Sequence, residues 1–207
     1  MGETLVAQQN RAAPDIRHQG DPPYTHSPRA RKRVPIGLTG VRVRIARSDE
    51  DRQKAYRLRY QVYCIKNHFE PASRHANGQE TDLHDAQSVH GLALYADTGD
   101  VAGTARLILP AEKSGGLPLP TPQICAPEVI AAHAHKIPAR STAELSRFAI
   151  SKHERRRHGK TSPGDPNRIV TASESVQLVS TISLGLMRAT IAMARSDEIT
   201  HLYALME

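Results

Sequence analysis

The sequence predicts an α/β domain, a mixed β-sheet flanked by helices. Three observations point there. Residues 41–46, VRVRIA, alternate apolar and charged residues as a half-exposed strand does. Residues 49–66 and 171–195 carry apolar residues at helical spacing. Two β-rich runs, VHGLALYA and VAGTARLIL, are separated by Asp97-Thr98-Gly99-Asp100, a hairpin signal. At 207 residues the chain is long enough for one domain with a real core plus tails.

Residues 1–40 are rich in Pro, Gly, Arg and Gln without apolar periodicity, and are expected to form a disordered basic arm. The first strand follows, with Val41, Val43 and Ile45 on one face and Arg42 and Arg44 on the other. Ser48 and Asp51 have the spacing of a capping box, opening a helix over 49–66 with Ala55, Leu58, Val62 and Ile65 inward. An acidic loop leads into the hairpin. Residues 110–140, with Pro118, Pro120 and Pro122, read as a long irregular excursion. TAELSRFAIS is the next strand and HERRRHGKTSPGDPNR a loop. The second helix offers Val176, Val179, Leu186, Ala189 and Met193 for burial, and ITHLYALM is the last strand.

No run approaches the roughly 18 apolar residues that span a bilayer, and MGETLVAQQNRAAPD lacks the apolar centre of a secretory signal. A cytoplasmic protein with no transmembrane segment is therefore expected. Cys64 and Cys125 are too few for a disulfide framework, and His133-x-His135 has no companion ligands, so no metal is expected. Cys64 reads as a buried small hydrophobe. Gly159-Lys160-Thr161 imitates the end of a P-loop but lacks the glycine needed at Glu154.

The formal charge of +7 is concentrated in Arg29, Arg31, Lys32 and Arg33 and in Lys152, Arg155, Arg156, Arg157 and Lys160. Such clusters favour an acidic partner, whether nucleic acid, an anionic membrane surface or an acidic carrier protein. A basic nucleic-acid-binding module is one reading. Against it, aromatic residues make up only 4% of the chain, which leaves few platforms for stacking bases.

TAELSRFAIS raises a chemical question, because Glu144 and Arg147 stand among Ala143, Leu145, Phe148, Ala149 and Ile150. Burying either charge unpaired costs several kcal/mol. In a flat strand, positions three apart face opposite ways. A β-bulge between them would bring both to one face. The pair can equally be a structural strut between strands.

Four motifs, RLRYQVY (57–63), ETDLHD (80–85), GTARLILP (103–110) and ELSRFAIS (144–151), occur in the order and spacing of the acyl-homoserine lactone synthase pattern. The sequence more closely resembles the N-acyltransferases associated with exosortase and PEP-CTERM protein sorting. In those, an RYxVYC helix, an ExDxxDxxSVH segment, a GxxRLxLP strand and an EhSRFAhSKxxRRR strand (h, hydrophobic) recur, as they do here over roughly 41–207. The resemblance implies a GNAT-like (acyl-CoA N-acyltransferase-like) fold with a splayed strand that holds the acyl thioester. It also implies a long acyl group arriving on the phosphopantetheine of acyl carrier protein, attacked by the amine of a small acceptor, with no bound cofactor. In the family, further elements follow the strand corresponding to ITHLYALME, so the domain at 41–207 is expected to be C-terminally incomplete.

Carried over residue by residue, the motifs point to Arg59, Tyr63, Asp82, Asp85, Arg106, Ser146, Arg147 and Phe148 as substrate-binding. Removing a proton from an incoming ammonium needs a carboxylate base, and Glu80 and Glu144 are the candidates. Backbone N–H groups near Ser146 to Phe148 are candidates to hold the oxyanion. Arg155, Arg156, Arg157 and Lys160 are candidates to dock acyl carrier protein. By their residue types alone, Asp82 and Asp85 also fit a solvated loop, and Tyr63 the core. The chain has no Trp where the lactone synthases carry one, and Phe69 is the nearest large aromatic. An amino acid acceptor is therefore preferred over S-adenosylmethionine, the acceptor of an autoinducer synthase.

Overall fold

The computed structural model describes residues 40–151 and 172–204. The arm expected over 1–40 lies, but for Gly40, outside the described residues, and so do Arg155, Arg156, Arg157 and Lys160.

Five strands form one sheet in chain order: β1 (Val41–Ala46), β2 (Ser88–Tyr95), β3 (Val101–Ile108), β4 (Thr142–Ile150) and β5 (His201–Ala204). β1 to β4 are antiparallel neighbours, and β5 runs parallel to β4 along Thr142–Leu145. The expected mixed sheet is therefore present. Gly99, at φ 75°, turns the hairpin between β2 and β3.

The two faces of the sheet have opposite chemistry. The long helix α5 (Ala172–Ser196) covers one face, where its Ile182, Leu186 and Met193 meet Val41, Ala93, Ala105, Leu107 and Ala143. Helix and sheet approach closely at Gly91 and Gly103: a Cβ on Gly103 would stand 2.9 Å from Ile182 and 3.0 Å from Leu186. Ser175–Ser196 is long and apolar enough by composition to cross a membrane, the one such stretch among the described residues. Its buried stripe instead packs on the sheet. Val176, expected inward, is exposed, because counting back from Ile182 at 3.6 residues per turn places that stripe at 178–179 and 175.

Helix α1 (Asp49–Arg59) lies on the other face, with Ala55 and Tyr56 against Ala46, Leu92 and Leu94. Its N-cap is Ser48, whose side chain accepts from the Asp51 N–H at 3.1 Å, while the Asp51 carboxylate takes Arg44 at 2.5 Å. The expected helix over 49–66 changes character at Tyr60, where a π-helical stretch (Tyr60–Lys66) begins, with Asn67 N–H reaching back to Val62 C=O at 3.1 Å. The wider turn rotates later side chains by about one position. Cys64 is consequently buried and Ile65, expected inward, is 46% exposed.

The excursion over 110–140 is not irregular. It folds into α2 (Ala111–Ser114), α3 (Pro120–Ile124) and α4 (Pro127–His133). Prolines open these turns, Pro110 as a cap and Pro120 and Pro127 at the first helical position, where a missing N–H costs nothing.

Gly103→Ala would force Ile182 and Leu186 off the sheet. We expect it to lower stability by about 1–3 kcal/mol, read as an earlier urea midpoint, and an unchanged midpoint would contradict this account of the α5 interface.

Candidate active site

α1 delivers Arg59 to the charged face of the sheet, where its guanidinium is fully buried. Nε donates to Glu80 Oε2 at 2.5 Å, and the two Nη groups donate to Asp85 Oδ1 and Oδ2 at 2.6 and 3.0 Å. The acidic segment is pre-shaped for this. Asp82 accepts from the His84 N–H at 2.9 Å, and Asp85 accepts from the Asp82 N–H at 2.8 Å, so each aspartate fixes the turn that presents the other. Glu80 is placed by its own N–H, which donates to Tyr56 C=O at 3.1 Å.

Arg106 rises from β3 and donates through Nη1 to Asp82 at 2.6 Å and Asp85 at 3.1 Å, and through Nε to Ser146 Oγ at 3.0 Å. Arg147, from β4, meets Glu80 at 3.1 Å and Asp82 at 3.4 Å. The contacts close into a ring of alternating charge that runs Arg59, Glu80, Arg147, Asp82, Arg106, Asp85 and back to Arg59. Glu70 touches the ring from outside, 3.6 Å from Arg147. Tyr63 lies beneath Arg147, whose guanidinium carbon is 5.3 Å from the ring centroid, and its hydroxyl donates to Phe148 C=O at 3.3 Å.

A bulge makes the ring possible. Thr104 pairs with Ala149 and Arg106 with Ser146, so β4 carries one more residue than β3 across this interval. Arg147 sits there at φ 50°, an uncommon conformation for a side-chain-bearing residue. The extra residue sends Arg147 to the face already occupied by Glu144 and Ser146, while Phe148 packs toward α5. β5 pairs only as far as Leu145, so among the described residues the outer edge of Ser146–Ile150 has no strand partner.

Glu144 stands apart from the ring. It is 3% exposed, and its Oε2 accepts the Thr121 N–H at 2.8 Å, fastening the start of α3 to β4. Among the buried carboxylates of the described residues, Asp51 has Arg44, and Glu80 has Arg59 and Arg147. Glu144 has no cationic partner among the described residues.

Burial works to raise the pKa of Asp82 and Asp85, but the guanidiniums of Arg106 and Arg59 outweigh it and hold both carboxyls below the usual carboxylate range. Burial likewise disfavours charge on Arg59, and its bonds to Asp85 and Glu80 more than restore it. Desolvation raises the Tyr63 phenol and the Cys64 thiol. His90, from β2, is 1% exposed; its Nε2 is 3.6 Å from Asp85, and its ring meets Tyr56 edge-on. Burial pushes its pKa down to about 3 against the pull of Asp85, so it is neutral in the folded chain.

Residues 58–162 match the sequence profile of the acetyltransferase (GNAT) domain. The chain belongs to the GNAT acetyltransferase-domain family. It is an acyl-transferring enzyme. No curated protein matches the sequence. Among solved structures the chain is similar to the AHL synthase LasI, at 21% identity over 79% of this chain and 71% of that one with a TM-score of 0.44. It is also similar to FeeM, an N-acyl amino acid synthase from uncultured soil microbes, at 17% identity over 79% and 70% with a TM-score of 0.44. A third is BjaI, a CoA-dependent acyl-homoserine lactone synthase, at 20% identity over 75% and 58% with a TM-score of 0.45.

In this GNAT domain the structure brings together Arg59, Tyr63, Glu80, Asp82, Asp85, Arg106, Ser146 and Arg147, and leaves Glu144 beside them on the same face; Phe148, expected among the substrate-binding residues, turns its side chain to the α5 side past the bulge and meets the site only through its C=O, which accepts from Tyr63. Three neighbours escaped the reading of the sequence. Glu70 lies between the first helix motif and the acidic segment, and His90 is the last residue of the ExDxxDxxSVH segment itself. Thr121 has no sequence signal, because only the return of α3 to β4 puts it next to Glu144.

His90 generates an acid sensitivity. An unfolded chain protonates this histidine near pH 6.5, whereas the folded chain resists until about pH 3. Its contribution to stability is therefore complete above pH 6.5 and declines as pH falls, by on the order of 5 kcal/mol across the window down to about pH 3. Asp85 adds to the loss only below about pH 4, where unfolded aspartate protonates. Urea midpoints should fall between pH 7 and 4.5, and more shallowly in His90→Gln; identical slopes would remove His90 from the account.

Proposed function

We propose that this GNAT enzyme transfers a long-chain fatty acyl group from the phosphopantetheine of acyl carrier protein to the amine of an amino acid or similar small acceptor, in the cytoplasm. The observation that supports this reading best is Glu144: a buried carboxylate with no cationic partner among the described residues, on the face of β4 to which the bulge turns Arg147. An ammonium substrate would supply the missing charge. The motif resemblance to the exosortase-associated acyltransferases supports the long-chain donor and the amine acceptor.

In this mechanism the acyl thioester lies along the edge of β4 beyond Leu145, which has no strand partner among the described residues, and the bulge turns backbone groups out of the ladder and toward the developing oxyanion. Glu144 takes one proton from the ammonium. The freed lone pair attacks the thioester carbon, the N–C bond forms, and the tetrahedral oxyanion collapses with cleavage of the C–S bond. The thiolate leaves on the carrier and takes the second proton that the amide nitrogen sheds, so one of the ammonium's protons ends on Glu144 and the other on the thiol. No covalent enzyme intermediate is required. Glu80 is the weaker candidate for the base, because Arg59 and Arg147 occupy both of its oxygens. Arg155, Arg156, Arg157 and Lys160 are assigned to carrier docking on charge alone.

Incubation with acyl-loaded carrier protein and separate pools of amino acids and S-adenosylmethionine, with products read by mass, tests the reading. An N-acyl amino acid is expected; a lactone would replace the acceptor, and no N-acyl product would end the proposal. Glu144→Gln keeps the volume and an acceptor for Thr121 but no base, and should lower turnover roughly 100-fold or more with an unchanged thermal midpoint. A fully active variant would return Glu144 to a structural role.

A further inference from the structure

Next to Glu144 the structure buries a hydroxyl that has no hydrogen-bond partner among the described residues. Thr121 is 6% exposed, and its N–H is committed to the Glu144 carboxylate at 2.8 Å. Its hydroxyl is fully buried and makes no hydrogen bond among the described residues. A hydroxyl offers two acceptor lone pairs and one donor, and burying it unpaired costs stability that valine, of the same shape, would not lose. Packing therefore does not account for threonine here. The hydroxyl and the carboxylate are held on adjoining elements by one hydrogen bond, and both lack what a primary ammonium carries, namely positive charge and several N–H donors.

We propose that the Thr121 hydroxyl and the Glu144 carboxylate together form the subsite for the acceptor's primary ammonium, with Thr121 fixing its orientation. The inference rests on the acyl-transfer reading above and adds the residue that selects and aims the amine. One N–H points to Glu144, which removes that proton. A second N–H donates to Thr121 Oγ. With the bond to carbon, these contacts leave the nitrogen one free rotation fewer. Thr121 then keeps hold of the amine while it turns the lone pair, which the departing proton leaves facing Glu144, toward the thioester carbon, and such positioning accelerates a bimolecular step.

Three measurements on the full chain test this. In acyl transfer from acyl carrier protein to glycine, Thr121→Val should raise the KM for glycine about tenfold, the worth of one hydrogen bond, and leave the KM for the acyl donor unchanged; Thr121→Ser should restore wild-type behaviour. Methylammonium chloride, titrated at constant ionic strength, should shift the Thr121 amide NMR signal in the wild type and Thr121→Ser. The same position in Thr121→Val should respond weakly, and tetramethylammonium, which has the charge without donors, should have no effect. The thermal midpoint of Thr121→Val should be equal or higher, since the variant relieves a buried unpaired hydroxyl. A lower midpoint, or an unchanged KM and methylammonium response, would show that the hydroxyl serves the fold and would overturn the subsite. If methylammonium binds in a Thr121-dependent way but no N-acyl product forms, the subsite stands and the acyl-transfer reading falls. If N-acylglycine forms equally well in the wild type and Thr121→Val, the reverse holds.

Discussion

The fully buried guanidinium of Arg59 holds this site together. Moving that charge out of water is expensive, and the cost is met only by carboxylates placed to take its planar fork, Asp85 on the two Nη groups and Glu80 on Nε. Removing a single partner from such a pair costs about 3–5 kcal/mol, because a bare charge is left behind. The segment from Glu80 to Asp85 is thus tied to α1, and every other charge in the site takes its position from these two acids. A lysine at 59 would supply charge without the fork.

Once Glu80 and Asp85 are placed, the ring is completed by β3 and β4. Arg106 binds Asp82 and Asp85, and Arg147 binds Glu80 and Asp82, so each member has an opposite charge on both sides. Three cations and three anions balance, as they must where solvent is scarce. The bulge supplies the last piece, since without its extra residue Arg147 would point into the apolar layer under α5. The positive φ at Arg147 is a local backbone cost that the ion pairs of its side chain offset.

The sheet separates support from chemistry. On one face Gly91 and Gly103 let α5 lie close, and this apolar layer gives the strands a rigid backing. On the other, the ring sets the geometry of β4 with each of its charges paired, while among the described residues the Glu144 carboxylate has no cation and the Thr121 hydroxyl no hydrogen bond. A site of this design keeps its structural ion pairs apart from the groups proposed to meet the substrate. His90, neutral against Asp85, extends the charged layer into the core beside Tyr56.

By itself the sequence determined the order and type of the long elements, because alternation in VRVRIA and helical spacing over 171–195 are local properties of the chain. The members of the ring were marked through the resemblance of four motifs to a known acyltransferase family, since by residue type alone Asp82 and Asp85 also fit a solvated loop; the charges of Glu144 and Arg147 among apolar residues raised the question that a bulge answers, with a structural strut as the other reading. The tertiary structure alone decided which charge meets which. Nothing local says that Arg59 takes Asp85 while Arg147 takes Asp82, for these pairs join strands and loops distant in sequence. The π-helical stretch from Tyr60, which leaves Ile65 exposed, had no counterpart in the helical spacing read from the sequence. The short helices of 110–140 become legible only when their prolines are seen to start turns rather than prevent them. The neighbour of Glu144 was beyond the sequence altogether: Thr121 reaches it through one backbone hydrogen bond across a loop, and a backbone N–H carries no residue-specific signal.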